Sequence, residues 1–392
     1  MDRLHIAFFG ATNSGKSTLV NAICGQEVSL VSAVPGTTTD PVRKLAELPG
    51  LGPCVLIDTA GLDDNGVLGP ERERRTRAVL DETDIAVLVV APEAPPTSQI
   101  SGRQAQKRSV FDPSVPDFRT IVTLAGIPCV TYTRGESVES LLERIAAVAP
   151  KREEKYLTGR LVTKGDLVVL VMPQDSEAPK GRLILPQVQV IRELLDRGCT
   201  PVCCTPDSLA STVAGLKDAP ALVITDSQVF KFVNESIPAD WTLTSFSILL
   251  AAAKGDVGVF VAGAKAINAL KPGAKVLIAE ACTHVPDTED IGRVKIPAML
   301  RKRLLKIPDQ VRNDKGEVRN DDEVLKVEIA AGNDFPEDLS QYSLIIHCGA
   351  CVANAALVRS RIRKALLAGV PITNYGIAIA ALQGILERVS LP

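Results

Sequence analysis

A short apolar run, Leu4-His5-Ile6-Ala7-Phe8-Phe9, passes directly into Gly10-Ala11-Thr12-Asn13-Ser14-Gly15-Lys16-Ser17, and a helix-forming stretch follows from Thr18 to Cys24. Few strings of this length restrict a fold as much. A strand has to end where the glycines let the backbone curl its N–H groups around a phosphate. A helix has to begin at the lysine, so that its N-terminus adds partial positive charge. On this pattern Gly10, Asn13, Ser14, Gly15, Lys16, Ser17 and Thr18 are the expected phosphate-binding residues. Lys16 reaches the β and γ phosphates, and Ser17 supplies a hydroxyl to magnesium. An ordinary glycine-rich turn between strand and helix would leave the Gly-Lys-Ser triplet unexplained.

Two further segments extend the site. Pro35-Gly36-Thr37-Thr38-Thr39-Asp40 is a polar loop in which Thr38 is placed to meet magnesium and the γ phosphate. Cys54-Val55-Leu56-Ile57 then reads as a buried strand that delivers Asp58-Thr59-Ala60-Gly61 to the same end of the sheet. There Asp58 would hold magnesium through water, and the Gly61 amide would sense the γ phosphate. Together the three segments resemble the first motifs of translation-factor-type GTPases. That resemblance implies GTP as ligand and catalytic roles for Lys16, Asp58 and Gly61. Leu62 stands where many relatives carry a water-positioning glutamine, so slow hydrolysis is expected. Asn13 resembles the asparagine with which potassium-activated members hold K+ near the phosphates.

The base-recognition end departs from that pattern. A strand at 85–90 is followed by an aperiodic Pro/Ser/Gln-rich stretch, 91–116, that reads as a mobile loop. A later strand, 128–132, leads to Thr133-Arg134-Gly135-Glu136, where a GTPase carries Asn/Thr-Lys-x-Asp. Glu136 can accept the guanine N–H pair with one methylene more than the usual aspartate, and no Ser-Ala loop follows. Guanine selectivity is expected to be weaker than in a complete GTPase.

Among 392 residues the chain has only three histidines, and two of them flank cysteines: Cys282-Thr283-His284 and His347-Cys348-Gly349-Ala350-Cys351. Thiolate and imidazole together suit zinc or the irons of a cluster. Both half-motifs follow apolar runs that read as strands, Val276-Leu277-Ile278-Ala279 and Leu344-Ile345-Ile346. In an open α/β sheet the carboxyl ends of strands line the ligand crevice, so the two loops are expected to converge. A helix opened by Gly349-Ala350 would put Cys348 and Cys351 on one face. Buried packing cysteines and a redox dithiol are the plainer alternatives.

A formal charge of −2 with no long basic run argues against nucleic acid as partner. No leader is visible at Met1, and no uncharged apolar run is long enough to span a bilayer, so the cytoplasm is expected. There nine cysteines stay reduced and do not form a disulfide framework.

Residues 150–155 are charged and aperiodic and read as a linker. Strands at 167–172, 201–204 and 221–225 alternate with helices at 187–197 and 208–216, which implies a small parallel layer. Cys199, Cys203 and Cys204 are read there as packing residues. The same strand-to-helix logic recurs at 255–270, 274–281 and 344–367, and Pro371-Ile372-Thr373 ends at Asn374-Tyr375-Gly376, a turn that either lines the crevice or is simply a turn. The expected fold is α/β: a P-loop GTPase domain at 1–150, then two smaller α/β domains with mainly parallel sheets at 156–254 and 255–392.

Over nearly its whole length the chain resembles the HydF family of FeFe-hydrogenase maturation GTPases. The resemblance rests on 36–42 (GTTTDPV), 185–189 (LPQVQ), 225–230 (TDSQVF), 243–247 (LTSFS), 277–284 (LIAEACTH) and 347–351 (HCGAC). It implies a GTPase domain, a homodimerisation domain and a C-terminal domain binding a four-iron four-sulfur cluster. It also implies a scaffold or carrier role for the two-iron subcluster, with the radical maturation enzymes and the hydrogenase as partners. Cys282, Cys348 and Cys351 correspond to the cluster thiolates, with His284 and His347 as flanking candidates. An apolar run, 243–253, exceeds what a small layer needs and favours dimerisation. The polar insertion at 312–322 is a departure from the family pattern. Two other readings stay open: a GTPase with a structural zinc acting in an assembly process, and a redox enzyme using Cys348 and Cys351 as a dithiol.

Overall fold

The computed structural model of the chain describes residues 3–25, 41–61, 78–90, 118–150, 156–174, 183–281, 290–305, 324–332 and 334–392. The aperiodic stretch 91–116, most of the linker at 150–155 and the insertion at 312–322 lie outside the described residues. The chain divides into two compact units, Met1–Arg152 and Glu153–Pro392.

The first unit is built on a five-stranded sheet comprising β1 (Leu4–Phe9), β2 (Val42–Leu48), β3 (Gly52–Asp58), β4 (Ile85–Val90) and β5 (Cys129–Thr133), in the order β2-β3-β1-β4-β5. All pairings are parallel except β2 with β3. Alternate residues of β1 feed separate cores: Ile6 and Phe8 pack with Leu56, Val87 and Leu141, whereas Ala7 and Phe9 pack with Ile57, Ala86 and Val122. Burial on both faces explains why the central strands read as unbroken apolar runs and not as alternating ones. Phe8 is in register with Asp58, so the loops that follow β1 and β3 leave the sheet at the same edge.

The second unit holds two four-stranded, all-parallel sheets. One comprises β6 (Leu167–Val171), β7 (Thr200–Cys204), β8 (Leu222–Thr225) and β9 (Leu243–Ser245), ordered β7-β6-β8-β9. The other comprises β10 (Ala274–Ala279), β11 (Leu325–Ala330), β12 (Leu344–His347) and β13 (Ile372–Asn374), ordered β11-β10-β12-β13.

Between them runs the helix Phe246–Lys254, started by Ser245, whose side chain accepts from the Ile248 amide. Phe246 and Leu249 join the core with Leu170 and Ile224, while Ile248 and Ala251 join the core with Val276 and Ile345. The apolar run at 243–253 is therefore consumed by two cores of its own chain. That double duty accounts for its being longer than one small layer needs. Of the middle cysteines, Cys199 and Cys204 are buried, but Cys203 is exposed, because neighbouring strand residues face opposite sides. Among the described residues no helix is long and apolar enough to cross a membrane.

Candidate functional site

In the first unit the loop after β1 turns through Gly10 (φ 153), Asn13 (φ 62) and Gly15 (φ 99), and the helix Lys16–Cys24 follows. A Cβ on Gly10 would collide with the Val89 carbonyl and Ser14 Oγ, and one on Gly61 with Thr12. Both positions require glycine for close approach. Lys16 is buried, and its Nζ donates to the carbonyls of Gly10 (3.0 Å) and Ala11 (2.9 Å). The ammonium thus lies over the loop whose amides would take up a phosphate chain.

Ser17 Oγ donates to Asp58 Oδ2 at 2.5 Å, which brings the two expected magnesium residues together. Asp58 Oδ1 is buried and has no hydrogen-bond partner among the described residues. Burial raises the Asp58 pKa above its ordinary 3.8, against the lowering effects of the Ser17 hydroxyl and Lys16. A desolvated carboxylate beside a hydroxyl, with one oxygen unmatched, is a donor set that fits a hard divalent cation. Thr38 lies outside the described residues.

The same observation gives a stability prediction. Folded Asp58 holds its proton more tightly than the unfolded chain does, so its contribution falls as pH rises from 3.8 through the raised folded value. Above that folded value the cost is fully present. Asp58→Asn, which keeps an acceptor for Ser17, should raise the melting midpoint of the first unit in nucleotide-free calorimetry while weakening magnesium-dependent nucleotide binding. A lower midpoint would count against the burial argument.

At the base-recognition end, Arg134 lies alongside Gly15: a Cβ there would be 3.7 Å from Arg134 Cδ. Glu136 is engaged by Arg144, whose Nη2 donates to Oε2 at 2.5 Å while Nη1 donates to the Thr131 carbonyl at 2.8 Å. A hydrogen bond from Thr133, with help from Arg144, lowers the Glu136 pKa. The carboxylate is ionised but held by a neighbour that a guanine would have to displace. Competition titrations should accordingly show GTP preferred over ATP by a smaller factor than in a GTPase with Asn/Thr-Lys-x-Asp. Full guanine preference would contradict this.

In the second unit the register pairs Ala279 with His347 and His347 with Asn374. The segments after β10, β12 and β13 therefore emerge together at the carboxyl edge. The Ala281 amide, directly before Cys282, donates to Cys348 Sγ at 3.1 Å, and the Ala350 amide approaches the same sulfur at 3.4 Å. Cys348 and Cys351 are partly exposed, and neither is in a disulfide among the described residues. Asn374 Nδ2 donates to the Cys348 carbonyl at 3.4 Å, so the turn at 374–376 does line this edge. Cys282 and His284 lie outside the described residues; among the described residues Cys348 and Cys351 form no group of three with another potential metal ligand.

Gly349 and Ala350 do not open a helix, contrary to the spacing argument. Ala350 has φ 51, which no right-handed helix accommodates, and the helix Ala355–Leu367 starts only where Asn354 caps it by accepting from the Leu357 amide. The cysteines sit on a loop.

His347 is buried among protein partners. Arg361 Nη1 lies 3.1 Å from Nε2, and Nδ1 lies 2.8 Å from the Cys348 carbonyl. Since a guanidinium only donates, Nε2 accepts and Nδ1 carries the proton. Burial, then the neighbouring Arg361 charge, depress the His347 pKa to about 3. Both ring nitrogens are engaged, which leaves this candidate ligand no lone pair for a metal. Arg361 is itself buried and donates to the carbonyls of Glu280 and Gly332. Beside it, Glu280 is buried and paired with Arg293 at 2.8 Å.

Sequence reasoning missed Arg361, Glu280, Ser247 and Lys254. Ser247 and Glu280 lie inside the strings LTSFS and LIAEACTH that carry the family resemblance, and Lys254 is the first charge after an uncharged run from 243 to 253.

Comparison with known proteins covers both units. Residues 5–113 match the model described as 50S ribosome-binding GTPase, 157–255 the hydrogen maturase F dimerization domain, and 258–392 the hydrogen maturase F tetramerization domain. The tRNA modification GTPase MnmE of Methylobacterium sp. (strain 4-46) is 33% identical over 168 residues, 42% of this chain and 35% of that protein. That of Acidiphilium cryptum is 35% identical over 159 residues, 38% and 36% of the two chains. The chain thus spans about a third of the length of these relatives. Among solved structures, an Aquifex aeolicus Era variant bound to GDP and AlF4− aligns at 18% identity and TM-score 0.28, over 52% of this chain and 93% of that one. The G domain of the Thermotoga maritima FeoB aligns at 21% identity and TM-score 0.23, over 38% and 99%. The first unit is a P-loop GTPase domain that binds GTP, the remainder carries two self-association domains, and the chain belongs to the hydrogen maturase F family of hydrogenase-maturation GTPases.

Proposed function

We propose that this chain is a GTP-controlled iron–sulfur scaffold that assembles and delivers the two-iron subcluster during FeFe-hydrogenase maturation. The observation that supports it most is the Ala281 amide on Cys348 Sγ, because it brings the residue directly before Cys282 to the sulfur of the second half-motif. Amide donors to sulfur suit a thiolate held in a cluster, where hydrogen bonds to sulfur help set the potential. Cys282, Cys348 and Cys351 are the proposed thiolate ligands of a four-iron four-sulfur cluster. Three thiolates leave one iron to a weaker ligand, which gives the cargo fragment a place to attach and leave. With both ring nitrogens of His347 engaged, that ligand is His284 or a molecule from solution, and His347 holds the Cys348 carbonyl instead.

On the nucleotide side, Gly10, Asn13, Ser14, Gly15, Lys16 and Thr18 hold the phosphates, and Ser17, Thr38 and Asp58 hold magnesium. Gly61 senses the γ phosphate and Asn13 lends an oxygen to K+. Hydrolysis is slow, since Leu62 cannot orient water. The working form is a cytoplasmic homodimer or larger assembly, in three domains at 1–150, 156–254 and 255–392. The hydrogenase and the radical maturation enzymes are its partners.

The competing reading, a structural zinc, is separated by metal analysis of anaerobically purified protein. Brown protein containing iron and acid-labile sulfide supports the scaffold. Colourless protein with one equivalent of zinc would refute it.

A further inference from the structure

We propose that Lys254 is a positioning residue for the cysteine loop, fixing its backbone and bringing an ammonium to the loop that carries Cys348 and Cys351. Lys254 ends the helix Phe246–Lys254 and is only 5% exposed. Its Nζ donates to the carbonyls of Ala350 (2.8 Å), Cys351 (3.3 Å) and Ala353 (2.7 Å). Burying an ammonium is costly unless its N–H groups are satisfied, so a site offering three carbonyls is built around the charge.

The loop is polarised accordingly. Ala350 gives its N–H to Cys348 Sγ and its carbonyl to Lys254. Its left-handed φ of 51 turns the two groups in these directions. Inward carbonyls take the ammonium, and an outward amide is left for sulfur.

The other end of the same helix grips the same region. Ser247 Oγ accepts from the Gly376 amide at 3.2 Å and lies 3.3 Å from Asn374 Oδ1, while Asn374 Nδ2 reaches the Cys348 carbonyl. This helix falls within 157–255, matched to the dimerization domain, whereas the cysteine loop falls within 258–392. An element of one segment therefore positions the cysteines of the next.

The inference rests on the cluster reading, so its test has one arm that needs no cluster. In metal-free full-length protein, Lys254→Met should raise amide exchange at 350–353 at least tenfold, with exchange in the five-stranded sheet unchanged. After anaerobic reconstitution with iron and sulfide, Lys254→Met should shift the oxidised-to-reduced ratio about tenfold toward oxidised at the wild-type midpoint, a drop of about 59 mV for a one-electron couple. Lys254→Arg, which keeps the charge, should stay near the wild-type potential. Wild-type exchange and potential in Lys254→Met would overturn the proposal, as would an equal loss in both variants, which would reduce Lys254 to packing. Should Lys254→Met fail to fold, the potential of Lys254→Arg decides: a wild-type value supports the charge role and a drop of about 59 mV overturns it. A wild-type chain that takes up no cluster would refute the cluster reading and leave the exchange arm to be judged alone.

Discussion

Changing any one of Cys282, Cys348 or Cys351 to serine is expected to strip most of the iron from anaerobically reconstituted protein while leaving GTP affinity unchanged. Serine keeps the size of the side chain but replaces a soft donor by a poor ligand for iron. The largest structural effect is expected at Cys348, whose sulfur also gathers the Ala281 and Ala350 amides. Nucleotide affinity should not follow, because Lys16, Ser17 and Asp58 belong to a unit with its own core. Iron and sulfide assays alongside a GTP titration check both halves. Full iron retention in the Cys348 variant would remove that residue from the ligand set.

Lys16→Ala should produce the mirror-image result: hydrolysis lost by roughly 10²–10³-fold, with iron content at the wild-type level. The magnitude is that of deleting one preorganised charge aimed at a phosphoryl group. The ammonium donates to the Gly10 and Ala11 carbonyls, which holds it over the phosphate loop. Steady-state GTP hydrolysis and iron assays on the same preparation are sufficient. Hydrolysis surviving within a few-fold of wild type would place the phosphate site elsewhere.

What the sequence made legible follows from what each residue type can do alone. The phosphate loop was readable because its first glycine, Gly10, is forced by close approach and its helix start by the lysine, and the segment after β3 because Gly61 is forced in the same way. Central parallel strands such as β1 and β10 were readable because both their faces are buried. Two edge strands, β2 (VRKLAEL) and β11 (LKVEIA), went unread, because their polar residues break the continuous apolar run by which the buried strands were found. The helix predicted to open at Gly349-Ala350 failed for a different reason. Ala350 adopts a left-handed conformation that alanine rarely takes, and tertiary contacts with Lys254 and Cys348 outweigh its helix preference. His347 read as a ligand candidate because His beside Cys suggests metal. Nothing local announces that Arg361, fourteen residues on, will occupy Nε2.

The central claim is that three cysteine thiolates hold a four-iron cluster with one iron open to exchange. Electron paramagnetic resonance of the reduced, reconstituted chain, recorded with and without added imidazole, tests it most directly. The account predicts the signal of a reduced four-iron cluster whose g values shift on imidazole addition, in the wild type and equally in His347→Ala. A silent, zinc-containing protein, or a cluster signal indifferent to any added ligand, would contradict it.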